Sequence, residues 1–124
     1  MRNFGKGMDP GVILHITTRE AWEDALRQGE YRAASLQEQG FIHCSTPRQV
    51  VRVANVLFRG QEGLILLCID PDRLRAQVRW EALGTEEPFP HVYGPLNLEA
   101  VVRVVDFPAG EEGFFDLPES VKTS

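Results

Sequence analysis

Three histidines occur in the chain, and each is followed two positions later by a hydroxyl: His15-Ile16-Thr17, His43-Cys44-Ser45 and His91-Val92-Tyr93. In an extended backbone, residues two apart point to the same side and the residue between them points to the other. Each segment is therefore expected to bury its Ile, Cys or Val and to turn an imidazole and a hydroxyl together toward the opposite face. Imidazole changes charge near neutral pH and can donate at one nitrogen while accepting at the other. A hydroxyl beside it can orient the ring or hold a ribose or phosphate oxygen, so such pairs suit proton transfer or recognition of sugars and phosphates. His43 and His91 are expected to meet in one cleft, where a charged imidazole pair would attract phosphate. The competing reading makes each histidine structural, satisfied by its own neighbouring hydroxyl.

Other chemistry-bearing residues are fewer. Trp80-Glu81 sets an aromatic beside an acid; Trp80 is expected in the core and Glu81 on the opposite side, free to enter a cleft. Arg52 and Arg59 read as the solvated face of a helix, and Tyr31-Arg32 as a surface loop or rim. A three-histidine metal site would need long-range convergence, because the histidines lack local ligand spacing, and no metal is expected. His-x-Thr and His-x-Ser are similar to the motifs of two-histidine phosphoesterases acting on RNA, but His15 and His43 lie too close in sequence to occupy separate lobes. No phosphate-binding glycine fingerprint is present, which excludes P-loop and Rossmann readings.

The elements that must position these groups follow from patterning. The 124 residues suit one domain. A net charge of −5 without a basic run argues against DNA as a partner. No apolar stretch approaches ~20 residues, which excludes a membrane-spanning helix. Cys44 and Cys68 both sit in apolar runs without paired spacing; they read as buried free thiols, Cys44 chemically inert, in a cytoplasmic protein. Residues 1–11 read as a loose leader, with Met8 an equal candidate for the start. Residues 12–107 read as the domain and 108–124 as an acidic tail.

Within the domain, Val12 to Ile16 is a strand. Thr17 and Glu20 form a capping box for a helix that ends at Gly29 and buries Ala21, Trp22, Ala25 and Leu26. A short turn runs from Ser35 to Gly40, and Phe41 to Ser45 is the second strand. Thr46, Pro47 and Gln49 start a second helix reaching Phe58, with Val50, Val53, Ala54 and Leu57 on one face. Leu64 to Ile69 is a strand buried on both faces. Asp70 caps a single turn, Val78 to Leu83 and Val101 to Phe107 are strands, and Thr85 to Pro95 is a punctuated loop holding the His91 segment. The order is α+β rather than regular βαβ winding.

Gly40-Phe41-Ile42-His43-Cys44-Ser45, Trp80-Glu81 and Phe89-Pro90-His91-Val92-Tyr93-Gly94-Pro95-Leu96, with His15-Ile16-Thr17, Trp22 and Phe58-Arg59-Gly60, resemble the bacterial "domain of unknown function 952" family. The resemblance implies an ADP-ribosylation-like fold: a small split, curved sheet with two main helices and a cleft that in active relatives holds NAD. Carried over by position, His15 and Thr17 on the first strand, and Phe41 and Ser45 on the second, would bind the cofactor. His43, His91, Tyr93 and Glu81 would be the catalytic groups, with Glu81 the one acid to stand near a positively charged ribosyl centre. The chain departs from the usual pattern at the third strand, which offers His91 and Tyr93 where a glutamate is customary. The resemblance thus implies a nucleotide-like small-molecule ligand, with NAD as the cofactor. A non-enzymatic binding module is the alternative.

Overall fold

In a computed structural model of the chain, residues 11–122 are described; the expected leader lies outside them apart from Gly11. The continuously apolar Leu64–Ile69 (β4) lies between Ile13–Thr18 (β1) and Val101–Asp106 (β8), paired antiparallel with both. Its period of two explains the unbroken run. Ile65, Leu67 and Ile69 enter one core with Trp22 and Val92, while Leu64, Leu66 and Cys68 enter a second with Val50, Ala54 and Phe107. No helix of the described residues is long and apolar enough to cross a membrane.

Two smaller sheets complete an α+β architecture. Ile42–His43 (β3), Phe89–Tyr93 (β6) and Gln77–Glu81 (β5) form one, with β6 in the middle; Glu30–Tyr31 (β2) pairs with Leu96–Asn97 (β7) in the other. All the pairings are antiparallel. The segment expected as a loop around His91 is therefore the central strand of its sheet, because Ile42 and Gln77–Glu81 satisfy its backbone from both sides.

Arg19–Gln28 (α1) packs Trp22 and Ala25 on the first core and ends at Gly29, whose φ of 90° suits glycine. Its cap is Thr18, one residue later than expected: the Thr18 hydroxyl accepts from Ala21 N–H at 3.0 Å. Thr17 is drawn inward with Ile13 and His15, which leaves Thr18 to cap. Leu26, expected buried, is 54% exposed at the end of the stripe. Ala34–Gln39 (α2) is closed by Gly40. Ahead of Val50–Leu57 (α3), Thr46 and Gln49 form the reciprocal capping box: Gln49 N–H reaches Thr46 Oγ1 at 3.2 Å and Thr46 N–H reaches Gln49 Oε1 at 3.0 Å. Val50 and Ala54 face the second core, but Leu57 is 71% exposed. Trp80, expected in the core, is 54% exposed, because β5 is an edge strand extending past the packed interior. Beyond residue 107 the packing continues: Phe115 stacks on Phe107 at 4.8 Å, and Val121 of Glu119–Lys122 (α4) closes the second core.

The first and third sheets are joined by a backbone bridge between Leu14 and Ser45 and by one side chain. His15 donates Nδ1–H to the His43 carbonyl at 2.6 Å, and its Nε2 lies 2.8 Å from the Tyr31 hydroxyl, itself 2.8 Å from Thr17 Oγ1. A carbonyl only accepts, so neutral His15 carries its proton on Nδ1 and accepts at Nε2 from Tyr31. The Tyr31 oxygen is then free to accept from Thr17. Burial is the main reason the His15 pKa falls to about 4, the His43 carbonyl opposing it.

This shift makes stability depend on pH. The folded pKa of about 4 lies below the unfolded value of 6.5, so the unfolded chain binds more protons between them. Stability from His15 is full above about pH 6.5, falls as pH drops, and levels off below about pH 4, a total of about 3 kcal/mol. Urea unfolding at pH values across this window should show that loss in the wild type. His15→Gln should be less stable at neutral pH and lack this part of the slope. Equal slopes would contradict a buried neutral His15.

Candidate functional site

The β3–β6 pairing decides what faces the cleft. Ile42 is opposite Val92 and both are fully buried in the first core, so their neighbours His43 and His91, also directly opposite, must project from the other face. The two rings meet edge to face with centroids 5.5 Å apart. Cys44 points inward with Ile42, where burial pushes its thiol pKa up and leaves it unreactive. Phe41 is stacked on His91 at 4.2 Å and lies edge-on to His43 at 4.8 Å, holding both rings upright.

Glu81 is the hub of the polar end. One of its oxygens, Oε1, accepts from His91 Nδ1–H at 2.8 Å and from the Tyr93 hydroxyl at 2.6 Å. The Tyr93 bond, then the His91 bond, lowers the Glu81 pKa, and the same carboxylate raises the Tyr93 pKa. Arg79, opposite His91 on β5, lies over the Tyr93 ring at 4.4 Å. With Nδ1–H committed to Glu81, the remaining polar atom of His91 is Nε2. His91 is only 5% exposed but lines the cleft, and Nε2 is the atom it has left to offer a ligand there. An imidazole fixed in one tautomer by a carboxylate, at the wall of a cavity, can serve as a general base through its second nitrogen.

His43 is held differently. Its Nε2 lies 2.7 Å from Gln39 Oε1, and as that oxygen accepts, Nε2 carries the proton and Nδ1 keeps its lone pair. Burial, followed by the charge of His91, lowers its pKa. The fold therefore favours neutral His43 over the charged imidazole pair expected to attract phosphate.

The cavity holds about 820 Å³ and combines this polar end with an apolar wall from α3 and the β5–β6 connection. The connection is fastened to α3, where Gln49 donates to Glu87 at 3.2 Å and to the Pro88 carbonyl at 2.9 Å, and Arg52 pairs with Glu87.

His43, His91, Tyr93, Glu81 and Phe41 thus form one cluster, and Ser45 lines the same cleft with its backbone tied to Leu14. His15 and Thr17 do not join it through their polar groups. Both His15 nitrogens are engaged, Nδ1 with the His43 carbonyl and Nε2 with Tyr31, and the Thr17 hydroxyl is spent on Tyr31. On β1 both faces are covered: Ile16 packs against the second core as expected, while His15 and Thr17 are buried toward Tyr31 instead of being turned to an open face, and His15 and Ile16 both contribute to the cleft lining. The three imidazoles therefore do not converge as metal ligands or as paired His-x-hydroxyl motifs. Tyr31, expected on a surface or rim, is buried at the centre of that network, and nothing in its local sequence marks it. Gln39 was not singled out; its signal is its position four residues before His43. Arg79 was missed although it shares the strand and face of Glu81.

The shared carboxylate gives a spectroscopic test. In Glu81→Gln the Tyr93 pKa should fall back toward the ordinary tyrosine range, because its largest perturbation is removed. Ultraviolet difference titration against the wild type measures this. An unchanged phenol titration would mean that Tyr93 and Glu81 are not bonded in solution.

Residues 16–104 match the model of a family described as "Protein of unknown function (DUF952)". None of the curated proteins matches the chain. Among solved structures, the crystal structure of the protein CC0527 from Caulobacter crescentus is similar with a TM-score of 0.81 at 33% identity, over 90% of this chain and 98% of that one. A double mutant of CC0527 gives 0.81 at 32% identity with the same coverage. Its solution structure gives 0.74 at 35%, over 84% of this chain and 90% of that one. The family match spans the strands that carry both cleft histidines and Glu81, and the chain belongs to the DUF952 family.

Proposed function

We propose that the cleft binds a ribosyl-bearing small molecule, a class that runs from nucleosides to NAD and ADP-ribose, and that His91 held by Glu81 moves the proton when a bond at the ribosyl carbon is exchanged. The observation that carries this reading is the single Glu81 oxygen bonded to both His91 and Tyr93, at a cleft that His91 and Glu81 line. The resemblance of the sequence to ADP-ribosyltransferase-like folds supports the ligand class by analogy. In this scheme water or an acceptor hydroxyl attacks the ribosyl carbon and gives its proton to His91 Nε2. The base leaves with the bonding electron pair, and the ionised Glu81 supplies negative charge near the electron-poor ribosyl centre. Phe41 is the surface against which His91 is kept in place.

Calorimetry with NAD, ADP-ribose, nicotinamide riboside and the uncharged nucleoside inosine, with chromatographic detection of the released base, tests the proposal. At least one ribosyl compound should bind, and His91→Gln should lower any turnover by roughly a hundredfold or more. Binding without turnover would reduce the site to a non-enzymatic binding module. No binding by any of the four would overturn the reading.

A further inference from the structure

The apolar half of the cleft has no role in the scheme above. Val53, Val56, Leu57 and Phe58 from the α3 region, with Leu83 and Phe89, line it. Val56 is 73% exposed, Leu57 71% and Leu83 58%, although α3 already contributes Val50 and Ala54 to the second core. These outward side chains add nothing to that core. They stand on the wall of the same cavity that His43 and His91 line, and its volume of about 820 Å³ is that of a small-ligand pocket rather than a flat patch.

Charge narrows the occupant further. Among the described residues, the charged side chains lining the cleft are Arg52 and Glu81. Arg52 is already paired with Glu87, and Glu81 is an anion beside the reactive end. A diphosphate placed here would meet a carboxylate and a committed guanidinium, without a new cation from the lining.

We infer that the ligand of this cleft is uncharged and carries an apolar body, its polar head at His43 and His91 and its body against Val53, Val56 and Leu57. The identity of the head rests on the ribosyl reading above; the apolar body does not. Nucleoside-like or alkyl ribosyl compounds fit this wall better than NAD.

The test is calorimetry with butyl, hexyl and octyl β-D-ribofuranosides, the alkanols of the same lengths, NAD and ADP-ribose. Affinity should rise by about fourfold per methylene along the riboside series, and hexyl riboside should bind more tightly than NAD. Leu57→Ser, at a position 71% exposed, should keep the wild-type thermal midpoint and flatten the series. A flat series in the wild type would overturn the inference. So would tighter binding of NAD or ADP-ribose, an outcome that would nevertheless uphold the ribosyl reading. Equal affinities for ribosides and alkanols, both rising with length, would uphold the apolar wall and overturn the ribosyl head. If sedimentation shows a dimer that Leu57→Ser abolishes and octyl riboside does not displace, a second copy of the chain covers the wall, and the inference fails.

Discussion

The hydrogen bond from His15 Nδ1–H to the His43 carbonyl is the contact on which the cleft depends. The strand carrying His43 spans two residues, Ile42 and His43, and has few ladder bonds of its own. It is held on one side by β6 and on the other by the Leu14–Ser45 bridge and the His15 bond. The bond is partly buried, and removing the imidazole would take this donor from the His43 carbonyl while Tyr31 kept its bond to Thr17. Each unsatisfied buried group costs about 1–3 kcal/mol. His15 is thus a structural histidine with a functional consequence, in that it fixes the backbone of the residue whose ring faces the cleft.

From that anchor the chemistry follows by parity. Because Ile42 and Val92 are paired in the core, His43 and His91 are paired outside it, and a one-residue slip would turn the apolar side chains out and the imidazoles in. The neighbouring strand then brings Glu81 to His91 and Tyr93, and Arg79 over the Tyr93 ring. The two imidazoles end in different tautomers, each with a nitrogen lone pair not used by the bonds to Glu81 and Gln39. The α3 wall is apolar, so the polar end is a small part of a larger cavity.

Much of this was legible in the sequence, for identifiable reasons. The alternation in Ile42-His43-Cys44 and His91-Val92 is strong because the buried partners are strongly apolar, and it placed both histidines on one face. The Leu64–Ile69 strand and the Thr46–Gln49 capping box were equally readable, since each depends on residues adjacent in sequence. What failed depended on partners far along the chain. His15 looked like the other two histidines because Tyr31, which draws it inward, is 16 residues away. Trp80 looked like core because its sequence cannot reveal that β5 is an edge strand. The His91 segment looked like a loop because its prolines hid a strand bonded on both sides. Leu57 continued a helical stripe, yet the cavity lies where a core was expected.

The account turns on which ring nitrogens carry protons, and long-range nitrogen–proton correlation spectra of the histidine side chains near neutral pH read this directly. Neutral His15 should be the Nδ1–H tautomer, His43 the Nε2–H tautomer, and His91, in its neutral form, the Nδ1–H tautomer. Substitution of Glu81 should alter only the His91 pattern. A neutral His91 protonated on Nε2, or a His15 carrying protons on both nitrogens, would contradict the arrangement of the cleft and its anchor.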